Sequence, residues 1–233
     1  MYDQKIVLIS GTSKGIGKYL VSYYLKKGFI VIGCSRRAYK KNTDNYHHFS
    51  LDITDEKLVK KMFLSIRKKF KRIDVLINNA GLASMNHSLL TPSKKAQEII
   101  ATNFMGTFIL SREAAKIMLN KSFGRIINMT TVGTQMKLEG EAIYTASKAA
   151  VENLTIVMSR EFANYGITVN GVGPTPAMTD LIKFVPKNKI QNIIDQLAFN
   201  RLTEMDDITN VIDFFISKKS NYITGQLIYL GGG

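Results

Sequence analysis

Short, almost wholly apolar runs alternate along this chain with stretches whose apolar residues recur every three or four positions. Lys5 to Ser10, Phe29 to Cys34, Asp74 to Asn78, Arg125 to Met129 and Ile167 to Val172 are of the first kind. They suit parallel strands buried on both faces. His47 to Ile53 and Gln226 to Leu230 complete the set of strands. Helical spacing runs from Lys18 to Lys27, closed by Gly28, and from Glu56 to Phe70. In the latter, Leu58, Val59, Met62, Phe63 and Ile66 share one side and lysines take the other. Further helices are predicted from Pro92 through Ala101, and from Asn103 to about Leu119. The stretch bearing Tyr144 and Lys148 continues to about Tyr165, where Gly166 stops it, and the last helix runs from Thr203 to Ser217. Glu204, Asp206 and Asp207 in that helix's first turn suit its dipole.

Strand and helix alternate from end to end without a repeat, linker or low-complexity stretch. This pattern predicts an α/β fold: a Rossmann-type, doubly wound parallel sheet in three α/β/α layers, with residues 1–233 as a single domain. In such folds ligands sit at the carboxyl ends of the strands. A glycine-rich loop, Arg36, Asp52, the turn Asn78-Asn79-Ala80-Gly81, Thr131 and Gly173-Pro174 all follow strand ends. They are expected to converge on one edge.

Composition narrows the setting. The 233 residues are 45% apolar and 21% charged, which is ordinary for a soluble globular protein. No apolar run approaches the ~20 residues that span a bilayer, and no signal-peptide layout follows Met1. One cysteine, Cys34, has no internal disulfide partner, and it reads as core packing in a cytoplasmic protein. His47, His48 and His87 lack ligand-like spacing, so no metal site is expected. The net charge of +14 comes with no nucleic-acid-binding motif. It reads as a lysine-rich surface that favours anionic cofactors, anionic substrates or an acidic carrier protein.

The chemistry begins where the first strand runs into Gly11-Thr12-Ser13-Lys14-Gly15-Ile16-Gly17. Glycines at a strand-to-helix turn let the backbone approach a ligand, and the helix N-terminus offers free N–H groups to phosphate. In a dinucleotide site, the residue just past the second strand meets the adenosine ribose. Here that place holds Arg36 and Arg37, which suit a 2′-phosphate, and Lys14 adds a cation from the other side. NADP(H) is therefore expected over NAD(H). Tyr144 and Lys148 lie four residues apart, on one helix face. An ammonium at roughly 4 Å from a phenol, at an effective dielectric near 20, is worth about 4 kcal/mol, or about 3 pK units. That would bring the tyrosine from about 10 toward about 7, where it exchanges a proton at working pH.

Gly11-x-x-x-Gly15-Ile16-Gly17, Asn78-Asn79-Ala80-Gly81 and Tyr144-x-x-x-Lys148, in that order and spacing, resemble the short-chain dehydrogenase/reductase family. The resemblance covers essentially the whole chain and is greatest to 3-oxoacyl-acyl-carrier-protein reductases and their relatives. It implies that Tyr144 donates a proton to a carbonyl, and that Lys148 lowers its pKa while holding the nicotinamide ribose. Asn103 would hold a water in a proton relay. Asp52 and Ile53 would hold the adenine edge, and Asn79, Ala80 and Gly81 would line the ribose path. The implied substrate is a small-molecule or carrier-linked ketone, first a 3-oxoacyl thioester. A keto-sugar or other cell-surface precursor is second, and a cofactor-binding sensor on the same fold is the alternative of another class. Acyl carrier protein is an implied partner, and the helices from Asn103 and Ala142 resemble those that pair family members into dimers and tetramers. Two positions depart from the family pattern. Thr131 stands where a serine is usual, its hydroxyl able to make the same hydrogen bond, with Thr130 as the competing assignment. Gly173-Pro174-Thr175-Pro176 replaces a common Pro-Gly, placing Pro174 and Thr175 beside the nicotinamide. Residues 177–201 occupy the variable substrate lid, with Leu181, Ile182, Phe184, Val185, Ile190 and Leu197 as its apolar side.

Overall fold

The computed structural model describes residues 4–37, 43–176 and 187–232. Seven strands form one parallel sheet in the order β3-β2-β1-β4-β5-β6-β7. They are β1 (Ile6–Ser10), β2 (Ile30–Ser35), β3 (Tyr46–Ser50), β4 (Val75–Asn78), β5 (Gly124–Met129), β6 (Ile167–Gly173) and β7 (Leu227–Tyr229). Register pairs such as Val7 with Val31, Val7 with Val75 and Ile127 with Asn170 bring every carboxyl end to the same edge. The order reverses between β1 and β4, the switch point at which a crevice opens in doubly wound sheets. This is the Rossmann-type arrangement expected from the alternation.

Helices cover both faces: α1 (Gly15–Lys26), α2 (Glu56–Phe70), α3 (Ser93–Ile100), α4 (Gly106–Met118), α5 (Gly133–Met136), α6 (Ala142–Ala163), α7 (Lys187–Ile194) and α8 (Met205–Ile216). Alternate strand residues feed two cores, because successive side chains leave a strand on opposite faces. Leu8, Ile32, Leu76 and Ile126 pack with Val59, Phe63 and Leu110 of α2 and α4. Val7, Ile9, Val31 and Ile77 pack with Leu20, Ile208 and Phe215 of α1 and α8. Local chemistry fixes the helix ends. Asp55 accepts from the Leu58 N–H at 3.0 Å to start α2. Glu204 and Asp207 close a reciprocal capping box on α8, and Arg201 pairs with Asp207. Among the described residues, no helix is long and apolar enough to cross a membrane.

The element boundaries differ from the sequence pattern in informative places. The first helix begins at Gly15, three residues earlier than the apolar spacing indicates, so it starts within the glycine loop. The two helices expected on either side of Thr102 are one continuous rod, joined by a π-helical turn at Ala101–Met105. α8 begins at Met205 rather than Thr203, because Thr203 is held against Thr175. α5 has no counterpart in the sequence pattern.

Candidate active site

A cavity of about 890 Å³ runs along the carboxyl edge of the sheet, from the glycine loop to Ile190 and Ile193 of α7. At one end, Gly11 takes φ +74°, a left-handed conformation that favours glycine. A methyl on Gly17 would lie 2.3 Å from the Gly11 carbonyl oxygen, so the loop closes on α1 too tightly for any side chain there. Asn79 ties this loop to the end of β4. Its amide donates to the Ser10 and Gly11 carbonyls, while the Ser10 hydroxyl accepts from the N–H groups of Asn79 and Ala80.

The same loop leaves the first turn of α1 without a side-chain cap and without an acidic residue. Its N–H groups therefore remain available to an anion. Gly11, Ser13, Lys14, Gly15 and Ile16 line the cavity, whereas Gly17 packs behind it. The Thr12 side chain is buried, with its hydroxyl unpartnered and turned toward Gly33. Arg36 and Arg37 are exposed at the rim and form no ion pair with another described residue. The Arg37 carbonyl is held from behind by the Ser35 hydroxyl at 3.0 Å and by His48 Nε2 at 3.1 Å. Asp52 and Ile53 line the wall beside them. Asp52 spends one oxygen on Thr54, and Ile53 is buried where Gly106 leaves room for it.

At the other end, α6 presents Tyr144 and Lys148 beside Thr131, which follows β5. The Thr131 hydroxyl accepts from the Gly133 N–H at 3.1 Å and acts on the Tyr144 phenol in the direction that favours its ionised form. Thr130 turns the other way; its hydroxyl is buried without a partner, against Gly173. Lys148 is buried, and its ammonium donates to the Met129 carbonyl at 2.7 Å. Burial holds that amine down at about 8, with Glu152 pulling weakly the other way. Burial likewise pushes Tyr144 up to about 12, with the Glu141 charge adding to the rise and the Thr131 hydrogen bond opposing it. The lowering of Tyr144 toward 7 expected from the four-residue spacing is thus not found. Lys148 spends its amine on the Met129 carbonyl, and desolvation of the phenolate dominates.

Asn103 sits behind this wall, fully buried at the π-helical turn. Its carbonyl oxygen accepts from the Leu82 N–H at 2.7 Å, and its amide donates to the Leu82 carbonyl and to the Ser147 hydroxyl. It braces the loop after Gly81 against α6. A methyl on Gly81 would lie 3.3 Å from Asn103 Oδ1 and 3.6 Å from Lys148 Nζ, which brings those two groups close together. Pro174 and Thr175 reach the cavity, but the Thr175 hydroxyl is exchanged with Thr203 in a buried pair at 2.8 Å. Within the lid, Leu181, Ile182, Phe184 and Val185 lie outside the described residues; Ile190 reaches the cavity and Leu197 is buried. Cys34 is buried at the cavity floor, and burial pushes its thiol up to about 12. Among the described residues, no three His, Cys, Asp or Glu side chains gather as metal ligands.

The sequence reading missed one charged group on this wall. Glu141 lines the cavity beside Tyr144 and Gly133. Its position three residues before Tyr144, one helical turn away, is the signal that points to it.

The short chain dehydrogenase family model matches residues 5–190. The chain is 32% identical over 238 residues to the 3-oxoacyl-(acyl-carrier-protein) reductase FabG of Salmonella typhimurium, covering 100% of this chain and 98% of that protein. The Escherichia coli FabG matches at the same identity and coverage. Among solved structures, ElxO with NADP bound superposes with a TM-score of 0.90 at 30% identity, covering 99% of this chain and 98% of that one. 4-Hydroxyisoleucine dehydrogenase complexed with NADH gives a TM-score of 0.86 at 28% identity, over 98% of both chains. The chain belongs to the short chain dehydrogenase family.

Proposed function

We propose that this short chain dehydrogenase is an NADPH-dependent reductase that converts a ketone to a secondary alcohol. The observation that carries the reading is that Thr131 and Tyr144 come together on the wall of the cavity that also reaches the uncapped glycine loop. The residues present fit a dinucleotide. The open N–H groups of α1 and the close approach allowed by Gly11 and Gly15 would take the pyrophosphate. Arg36, Arg37 and Lys14 would take a 2′-phosphate, where planar guanidinium groups make charge-assisted pairs. Asp52 and Ile53 would flank the adenine; Asn79, Ala80, Gly81, Pro174 and Thr175 would line the remaining path. The Thr175 contribution is its backbone, since its hydroxyl is committed to Thr203.

Bound there, NADPH supplies the hydride. The protein's part is to hold the carbonyl and deliver a proton. Thr131 and Tyr144 together orient the carbonyl oxygen, and Tyr144 passes its phenolic proton to that oxygen as negative charge develops. A phenol held up at about 12 keeps that proton throughout the neutral range, as an acid in the reducing direction requires. Lys148, buried behind Tyr144, passes on the replacement proton, and Asn103 keeps α6 in place through Ser147.

Relatives that act on 3-oxoacyl carrier thioesters support that substrate class first. A hydroxylated ketone such as a keto-sugar is the second reading, favoured by the Glu141 carboxylate on the cavity wall. NADPH oxidation followed with acetoacetyl thioesters and a panel of keto-sugars tests the proposal. Turnover of at least one class is expected; turnover of no ketone by well-folded protein would refute it.

A further inference from the structure

Glu141 has been placed only on the cavity wall, yet its charge acts on the Tyr144 phenol. It immediately precedes α6 but makes no side-chain cap bond to that helix. Its carboxylate has no hydrogen bond or ion pair with any described residue, and burial alone pushes its carboxyl above the usual range, with no cation pulling it back. Its backbone is used, the carbonyl accepting from the Thr145 N–H and hydroxyl and the N–H donating to the Leu138 carbonyl. A half-buried, unpaired carboxylate costs stability, because its lost hydration is not replaced.

Geometry places this group next to the reaction. A methyl built on Gly133 would lie 3.0 Å from Glu141 Oε2 and 3.4 Å from Thr131 Oγ1. The two oxygens are therefore no farther apart than the sum of those distances, and the missing side chain at Gly133 keeps the space between them open. Glu141 is also near enough to Tyr144 for its charge to act on the phenol. A ketone oxygen held by Thr131 and Tyr144 would have its neighbouring carbons beside this carboxylate. An anionic substituent there would be repelled, and a purely apolar one would leave the carboxylate dry and unpaired.

We propose that Glu141 is a specificity-determining residue whose carboxylate accepts a hydrogen bond from a hydroxyl or ammonium group carried one or two carbons from the ketone. The inference rests on ketone reduction at Thr131 and Tyr144, but not on a thioester substrate. It selects donor-bearing ketones, such as hydroxyketones and aminoketones, over ketones of equal size without a donor.

The test measures kcat/KM for NADPH oxidation on size-matched ketone pairs, hydroxyacetone against butanone and aminoacetone against butanone. Wild-type protein is expected to favour each donor-bearing member by about tenfold or more, the worth of a hydrogen bond to a charged group. Glu141→Ala should bring the ratio close to one, chiefly by raising KM for the donor-bearing member, with NADPH affinity unchanged. Glu141→Gln should retain a preference for the hydroxyl but lose that for the ammonium. Melting curves check that both variants fold. Equal rates within the wild-type pairs, or a ratio untouched by Glu141→Ala, would overturn the inference while leaving ketone reduction standing. Absence of turnover on every ketone would overturn both.

Discussion

Thr131 stands where its hydroxyl does two jobs, and replacing it separates them. It acts on the Tyr144 phenol, and it accepts from the Gly133 N–H at 3.1 Å in a buried setting. Thr131→Val keeps the shape and removes both interactions. Loss of one donor aimed at a developing oxyanion costs about 3 to 4 kcal/mol, or roughly 10²- to 10³-fold in kcat. The orphaned Gly133 N–H costs a further 1 to 3 kcal/mol, roughly, in stability rather than in rate. Thr131→Ser keeps the oxygen and removes one nearly buried methyl, worth about 0.8 kcal/mol of stability. Its kcat should stay within about threefold of wild type. NADPH oxidation at saturating ketone, with thermal melts of all three proteins, reads the two effects apart. Equal kcat for the valine and serine variants, at equal cofactor affinity, would remove Thr131 from the reaction.

Other predictions address the cofactor end and the buried amine. Gly17→Ala puts a methyl 2.3 Å from a backbone oxygen and should abolish NADPH binding, read by fluorescence titration, since that neighbour cannot swing aside. Arg36→Ala with Arg37→Ala should weaken NADPH by about 2 kcal/mol or more, the loss of two charge-assisted pairs, and leave NADH nearly unchanged. Measured KM values for both cofactors check this, and an equal loss for each would refute the assignment. Lys148 is held down at about 8 when folded, against an ordinary 10.5. Between those values the unfolded chain binds more protons, so this group makes stability rise with pH through that window. Urea midpoints near pH 7.5 and pH 10 should show a smaller rise for Lys148→Met than for wild type.

The layered sheet was legible in the sequence because its strands are buried on both faces. Runs such as Ile6-Val7-Leu8-Ile9 carry little alternative to a parallel interior strand. The convergence of the loop ends followed from the parallel register. What the sequence concealed depends on tertiary partners. The π-helical turn at Ala101–Met105 brings Asn103 onto the Leu82 backbone, a contact across 21 positions that no local pattern encodes. Thr175 looked like a cofactor contact by position, but its hydroxyl is taken by Thr203, and α8 starts later for the same reason. The proton affinity of Tyr144 could not be read from Lys148 alone. It depends on where the ammonium goes and on a carboxylate one turn earlier.

The most direct measurement of the central claim is the pair of quantities kcat and NADPH affinity for Tyr144→Phe. The phenylalanine keeps the ring and removes only the hydroxyl on which Thr131 acts. The account predicts that ketone reduction falls by about 10³-fold or more, while the NADPH dissociation constant stays within about threefold. Undiminished reduction by the phenylalanine variant would contradict it.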